Sequence, residues 1–317
     1  MHHVASGEAS AGPRIASAVR RTLFSPIHPR IASPPFGPTL PRGSGTVYVS
    51  VMKRSFLLAT ATLAGIGTAQ AQDMRPLCPD RPGLDTPACT VDRGHFVMES
   101  GAVDWSLDRD SAQRSDSWTF GDLLIRYGVT QDMEVQLGWT ALGAVRTHDR
   151  ASGTVTHASG TGDLTLAMRR NLSHPDGSGF AVAVMPYAAL PTGGATIGAG
   201  DWGAGLIVPV SYSLTDRLGL SLTPEVDAAV DGDRRGRHLA YGSAIGLSTV
   251  LTASLSGAFE LQAIRDEDPD GHATQALASL SFAWQPRRDL QLDLGAVAGL
   301  NAASPDLELY LGIARRF

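Results

Sequence analysis

Alternation of apolar and polar residues is the feature that most restricts what this chain can fold into. Residues 290–295 are LQLDLG and residues 307–314 are LELYLGIA, so almost every second side chain is large and apolar. A period of two places successive side chains on opposite faces of a β-strand. Similar segments recur from residue 95 onward. The sequence therefore predicts an all-β fold whose strands have one apolar and one polar face.

The connections between these segments predict how the strands are joined. The predicted strands are 95–106, 117–129, 133–141, 161–172, 179–190, 202–214, 217–229, 237–248, 252–264, 273–285, 289–300 and 306–317. Short connections lie at 130–132, 215–216 and 286–288, and longer, more polar ones at 107–116, 142–160, 191–201, 230–236, 265–272 and 301–305. Alternating short and long connections are typical of an antiparallel outer-membrane barrel, with short periplasmic turns and longer external loops. We therefore predict an antiparallel transmembrane β-barrel of about twelve strands.

Two other folds compete with the barrel. In a soluble sandwich the apolar faces would meet inside, but strands of about ten residues match a tilted span of the hydrocarbon layer. Residues 238–259 contain no Asp, Glu, Lys or Arg, so a hydropathy scan could assign them to a membrane helix. The stretch is rich in Ser, Thr and Gly, which are poor helix formers. We predict two strands there, joined near residues 249–251.

Residues 52–71 have the organisation of a secretory signal peptide. Lys53 and Arg54 precede an uncharged run, and Ala71 completes an A-x-A cleavage site before Gln72. A short amphipathic or buried helix is the alternative. Residues 1–51 are Arg-, Ser- and Pro-rich, and are either an over-translated extension upstream of Met52 or an organellar transit peptide. With the barrel, the signal peptide predicts secretion to the outer membrane of a Gram-negative bacterium.

The charge and the cysteines limit the possible partners. Residues 1–71 carry seven basic residues and one acidic residue, whereas residues 72–317 carry 19 basic and 30 acidic residues, a net charge of −11. Such a chain is a poor nucleic-acid binder. Cys78 and Cys89 are close together, and in an oxidising compartment they predict one small disulfide loop within an N-terminal periplasmic loop, residues 72–94. Their spacing does not suit a four-ligand zinc site.

The C-terminal strand resembles the recognition signal of bacterial outer-membrane barrels. Tyr310, Gly312 and Phe317 fit that pattern, whereas Arg315 stands where an apolar residue is usual. The resemblance implies two partners, the barrel-insertion machinery and outer-membrane lipid.

Short motifs, in their order along the chain, resemble the outer-membrane transporter family named for the meta-pathway of phenol degradation. The motifs are Asp80-Arg81-Pro82-Gly83, Gly94-His95-Phe96 with Glu99, Tyr127-Gly128-Val129-Thr130 with Asp132-Met133-Glu134, Gly162-Asp163-Leu164-Thr165-Leu166, Leu190-Pro191-Thr192-Gly193 and Ser213-Leu214-Thr215-Asp216-Arg217-Leu218. The resemblance covers roughly residues 75–317. It implies a barrel that passes small hydrophobic or aromatic molecules and brings no catalytic residues and no cofactor.

The polar face of the strands becomes the lumen of such a barrel. The candidate lumen-lining residues are Glu134, Asp163, Arg169, Glu225, Asp227, Glu260, Asp293 and Glu308. Seven of these eight are acidic, which favours cations if the acids face water, whereas pairing with arginines such as Arg126 would remove the preference. The lumen of a twelve-stranded barrel is also narrow enough for side chains and the N-terminal loop to block it.

Other functions remain as alternatives. A structural or adhesive barrel without transport is one, and a lipid-acting outer-membrane enzyme is another, although no G-x-S-x-G, H-E-x-x-H or phosphate-loop motif occurs. Residues 266–271 match the first half of an EF-hand calcium loop, but the twelfth position is Leu277, so a solvated acidic loop is favoured over a metal site.

Overall fold

In the computed structural model, which describes residues 74–317, the chain forms fourteen antiparallel β-segments. They are β1 Phe96–Arg109, β2 Gln113–Gly128, β3 Met133–Asp149, β4 Val155–Gly160, β5 Leu164–Ser173, β6 Phe180–Leu190, β7 Gly203–Ile207, β8 Val210–Ser213, β9 Leu218–Val230, β10 Arg237–Val250, β11 Leu255–Asp266, β12 Ala273–Arg287, β13 Leu290–Gly299 and β14 Leu307–Arg316. The predicted extension at 1–51 and the predicted signal peptide at 52–71, with its cleavage site, lie outside the described residues.

The fourteen segments form twelve barrel strands because two strands are interrupted. β4 and β5 both pair with β3, and β7 and β8 both lie between β6 and β9. Pro209 stands at the second interruption, where its missing N–H cannot continue the ladder. The twelve-stranded antiparallel barrel predicted from the sequence is confirmed.

The barrel is closed. β14 pairs with β13 on one side and with β1 on the other, and β9 pairs with β10, so the series of paired strands closes on itself. β4 lies off this closed path and pairs with β3. The β1–β14 seam ends with Phe96 and Phe317, whose backbone N–H groups each donate to the other's carbonyl oxygen. Closure pairs the strands of the barrel on both sides, as a membrane-spanning sheet requires.

The apolar face of the strands points outward. On β14, Leu309, Leu311 and Ile313 are exposed, whereas Tyr310 is only 5% exposed. The same outward alternation of apolar residues occurs on β3, β10 and β13. Large apolar side chains that face outward on every second residue are stabilised by lipid rather than by a core. The soluble sandwich is therefore wrong.

Residues 238–259 fold as parts of β10 and β11, joined at 251–254, as predicted. Across residues 74–317, no helix has the length and apolar character needed to cross a membrane.

Two of the predicted long loops are largely strand. The predicted loop 107–116 shrinks to residues 110–112, and much of 142–160 extends β3 to Asp149 and forms β4. β2 and β3 pair from Gly128 and Glu134 as far as Gln113 and Asp149. These hairpin ends carry polar residues on both faces, so no apolar alternation marks them, but backbone pairing continues beyond the membrane. The other long loops lie at 191–202, 231–236, 267–272 and 300–306.

Candidate functional site

Residues 75–94 lie inside the barrel, and we call them the plug segment. Their partners are inward-facing groups from strands around the whole circumference. Asp80 N–H donates to Glu99 of β1, Leu84 N–H to Glu260 of β11 and Thr86 N–H to Thr223 of β9. A segment that contacts strands on all sides at once has to occupy the lumen. The sequence predicted a periplasmic loop here, and it raised blockage of the lumen only as one outcome.

The disulfide is formed between Cys78 and Cys89, whose Cα atoms are 6.5 Å apart. It closes a loop with Asp80 and Arg81 inside it, the two charged residues that contact the lumen wall most extensively. Cys89 is 1% exposed, so the bond is shielded on that side by the barrel. The cross-link restricts the free conformations of the segment and so stabilises its seated form.

Two arginines from the wall bind the carboxylate of Asp80. Arg169 donates from Nη1 to Oδ1 at 2.8 Å and from Nη2 to Oδ2 at 2.6 Å, a two-point contact. Arg126 Nη1 lies 2.8 Å from Asp80 Oδ1. All three side chains are at most 1% exposed. Fork-shaped guanidinium contacts of this kind fix orientation as well as charge.

Two wall carboxylates complete this charged cluster. Arg126 donates from Nε to Glu134 Oε1 at 2.9 Å and from Nη2 to Glu134 Oε2 at 3.1 Å. Its Nη1 also lies 3.1 Å from Glu99 Oε1. The same carboxylates accept backbone N–H groups of the plug segment, Asp80 and Arg81 at Glu99 and Val91 at Glu134. These backbone N–H groups of the plug segment belong to no strand ladder, and carboxylates of the wall accept their hydrogen bonds instead.

The pKa of Asp80 lies below its ordinary value. Burial alone would raise the pKa of this carboxyl, but the positive charges of Arg126 and Arg169 and the hydrogen bond from Arg169 outweigh the desolvation. Asp80 is therefore held as a carboxylate, the form that two guanidinium groups require. The cluster would lose its central anion only in acid.

A second contact layer is built around Arg81. Its Nη2 and Nε lie 3.2 and 3.3 Å from Asp293 Oδ1 on β13, and its guanidinium carbon lies 5.4 Å from the centre of the Tyr310 ring. Gly312 makes this approach possible, because a Cβ there would clash with Arg81 Nε. Two of the residues predicted as a C-terminal recognition signal, Tyr310 and Gly312, thus contact the plug segment, whereas Phe317 is 56% exposed.

A third contact joins the plug segment to the opposite wall. Glu260 on β11 accepts N–H groups from Leu84 at 2.8 Å and Asp85 at 3.2 Å. Gly83 lies against this carboxylate with a φ of +118°, and a Cβ there would clash with Glu260 Oε1. Glycine is required at this point by both the backbone conformation and the close approach.

The eight predicted lumen residues do not all occupy equivalent places. Glu134, Arg169, Asp227, Glu260, Asp293 and Glu308 are buried. Glu225 and Asp227 on β9 meet the hydroxyl of Tyr187. Asp163 precedes β5 and accepts N–H groups of Gly193 and Ala199, so it fastens the 191–202 loop.

Sequence reasoning did not assign Asp80, Glu99 or Arg126 to the site. Asp80 and Glu99 fall within the family motifs quoted above, and Arg126 was considered only as a partner for lumen acids. For Asp80 and Glu99, the position in short motifs was the available signal, but nothing in the motifs indicates that these residues contact Arg126.

A cavity remains on one side of the plug segment. It has a volume of about 360 Å³ and is partly open to solvent. The wall that lines it, from β8 to β12, presents small inward residues, among them Ser211, Ser221, Gly246, Ser248 and Ser281. The opposite wall carries the long side chains of the charged cluster. The lumen is therefore filled unevenly, with free space beside the serine- and glycine-lined wall.

A closed twelve-stranded barrel with an apolar exterior and a polar, plugged lumen defines an outer-membrane β-barrel protein. A comparison with family models matches residues 79–317 to the family described as "Putative MetA-pathway of phenol degradation". The match covers about three quarters of the sequence, so the chain belongs to this family, as its short motifs predicted.

Solved barrels are similar to the chain at low identity. The NanC porin is 8% identical over 69% of this chain and 98% of its own, with a TM-score of 0.44. The translocator domain of the autotransporter NalP from Neisseria meningitidis is 12% identical over 71% and 88%, with a TM-score of 0.45. The toluene transporter TodX from Pseudomonas putida is 8% identical over 70% and 87%, with a TM-score of 0.36. A search of curated proteins finds no match. The strand pairing of the chain itself, rather than these similarities, defines its fold.

Proposed function

We propose that the protein is an outer-membrane channel for small hydrophobic or aromatic molecules, and that the plug segment controls its opening. The observation that carries this proposal is the uneven filling of the lumen. The plug segment is fixed to one wall by buried ion pairs, and a cavity of about 360 Å³ lies beside the opposite wall. That volume is in the range of small-molecule sites.

The substrate class rests on the family and on the cavity together. The family is described by a pathway of phenol degradation, which suggests an aromatic compound. The cavity lining combines small hydroxyl groups with apolar surface from Leu77, Pro87 and Ala258. Such a lining suits a small molecule with an apolar ring and one polar group better than a fully hydrated ion.

Uptake of radiolabelled phenol by a strain that lacks the gene, with and without the restored protein, tests transport. Ser248 lines the mouth of the cavity, whereas Ile245 on the same strand faces outward. We expect Ser248→Trp to reduce uptake several-fold and Ile245→Trp to leave it unchanged. If the restored wild-type protein takes up phenol no faster than the empty strain, the channel proposal is wrong and a structural or adhesive barrel is favoured.

The ionic preference of the channel stays a prediction. Several lumen acids are paired, Glu134 with Arg126 and Asp293 with Arg81, so the uncompensated charge is smaller than the count of acids suggests. Reversal potentials in planar bilayers under a salt gradient measure the preference. A clear preference for anions would contradict the cation selectivity predicted from the sequence. Release of fatty acid from phospholipid by the folded protein would instead support the enzyme alternative.

A further inference from the structure

A histidine and three aspartates meet at the long-loop end of the barrel, away from the plug segment. His238 is the second residue of β10, Asp266 is the last residue of β11, and Asp231 and Asp268 lie in the loops that follow β9 and β11. One ligand atom each from His238, Asp266 and Asp268 lies within 4.8 Å of the others. We call these four residues the rim cluster.

The two imidazole nitrogens of His238 have different surroundings. Nδ1 lies 3.0 Å from Asp231 Oδ1 in a hydrogen bond, and 3.8 Å from Asp268 Oδ2. Nε2 lies 2.8 Å from Asp266 Oδ1, but not in the geometry of a hydrogen bond. The side chain is 3% exposed, so no bulk water reaches it freely. When Asp231 accepts the Nδ1 proton, Nε2 carries a lone pair close to Asp266 Oδ1, and a positive charge between these two atoms removes their repulsion.

The spacing of these atoms is close to that of a metal site. Ligand bonds of about 2.0–2.2 Å to zinc, at the tetrahedral angle, separate a nitrogen and an oxygen ligand by about 3.4 Å, so the 2.8 Å between His238 Nε2 and Asp266 Oδ1 has to widen by about half an ångström when the ion binds. In metal sites the second nitrogen of a ligating histidine usually donates to a carboxylate, which fixes its tautomer. Asp231 stands in that position. Mixed imidazole and carboxylate donors favour borderline ions such as Zn²⁺ over Ca²⁺ or Mg²⁺, which prefer oxygen alone.

The carboxylates are positioned by backbone groups before any ion arrives. Asp268 accepts N–H groups from Asp270 at 2.8 Å and Gly232 at 2.8 Å, and Asp266 Oδ1 accepts the N–H of Asp268 at 3.0 Å. The side chains of Asp266 and Asp268 are 10% and 12% exposed. A site already held in place by backbone hydrogen bonds loses little conformational freedom when it binds.

We propose that His238 Nε2, Asp266 and Asp268 bind a divalent zinc-like ion, with Asp231 as the positioning residue for the imidazole. The ion would join the 231–236 and 267–272 loops across the β9–β10–β11 rim. A proton on Nε2 is the competing occupant, and it would leave the protein without saturable zinc binding.

Calorimetric titration of the full chain, folded in detergent, with ZnCl₂, CaCl₂ and MgCl₂ tests the proposal. We expect one saturable zinc site that His238→Gln weakens by at least 100-fold. Asp231→Asn, which only disturbs the orientation of the imidazole, should weaken binding about 10- to 100-fold. The control is His272→Gln, because His272 is 59% exposed and contacts Glu267 instead. This control should bind zinc as the wild type does.

Extended X-ray absorption fine structure of the zinc-loaded wild type keeps the test independent of variant folding. We expect a histidine nitrogen at about 2.0 Å with carboxylate oxygens in the same shell. Three results would overturn the proposal. They are the absence of saturable zinc binding, equal affinity in the wild type and His238→Gln, and calcium binding as tight as zinc.

Discussion

Replacing Asp80 by alanine removes the anion at the centre of the charged cluster without touching the barrel wall. Among the described residues, the substitution leaves Arg126 and Arg169 with Glu99 and Glu134 as their anionic partners. Loss of one partner from a buried ion pair costs about 3–5 kcal/mol. Because two carboxylates remain to balance two guanidinium groups, we expect the lower end of that range. About 3 kcal/mol corresponds to a shift on the order of 100-fold in the equilibrium between seated and released plug segment.

The rate at which a phosphine reductant cleaves the Cys78–Cys89 disulfide measures this equilibrium. Cys89 is 1% exposed and Cys78 is only partly exposed, where it lines the cavity. A phosphine too large to enter this cavity of about 360 Å³ reaches the bond only after release of the plug segment, so its reduction rate is proportional to the released fraction when reseating is fast. We expect Asp80→Ala to be reduced on the order of 100-fold faster than the wild type. Single-channel recordings should show a matching rise in open probability.

The matched control is Asp132→Ala in the β2–β3 turn. Asp132 pairs with Arg170 at 3.6 Å, but these side chains are 43% and 61% exposed. Exposed pairs contribute about 0–1 kcal/mol, so the reduction rate should stay near that of the wild type. A reduction rate for Asp80→Ala within twofold of wild type would refute the conclusion that the cluster seats the plug segment.

Three further predictions concern the same segment. The pKa of Asp80 is lowered by folding, so the stabilisation that its carboxylate gives the seated plug segment is present above the ordinary pKa of about 3.9 and is lost as the pH falls through the lower folded pKa. Reduction of the disulfide should therefore accelerate in acid, and Asp80→Asn should lack this acceleration. Cys78→Ser with Cys89→Ser should destabilise the seated plug segment by about 3 kcal/mol. Limited proteolysis should then cleave faster between residues 75 and 94, and an unchanged cleavage rate would contradict this prediction. Gly83→Ala should loosen the segment through both its φ of +118° and its contact with Glu260, and a reduction rate equal to wild type would count against this.

The sequence determined the barrel because one local rule decides it. Each strand needs an apolar face for lipid and a polar face for the lumen. Apolar and polar residues therefore alternate along the strand, as in 307–314. The number of strands and the split of 238–259 follow from the same rule. The rule fails at 107–116 and 142–160, where the pairing strands carry polar residues on both faces and no alternation of apolar and polar residues marks them.

Only the tertiary structure decided what fills the barrel and what gathers at its rim. Asp80, Arg126 and Arg169 are far apart in sequence, and no periodicity relates a plug segment to the wall around it. The same is true of His238 and Asp266, which meet because neighbouring strands β10 and β11 pair in one particular register. The alternation of apolar and polar residues determines which side of the sheet each side chain faces. Contacts across the lumen depend instead on barrel closure, on strand register and on the path of the N-terminal chain.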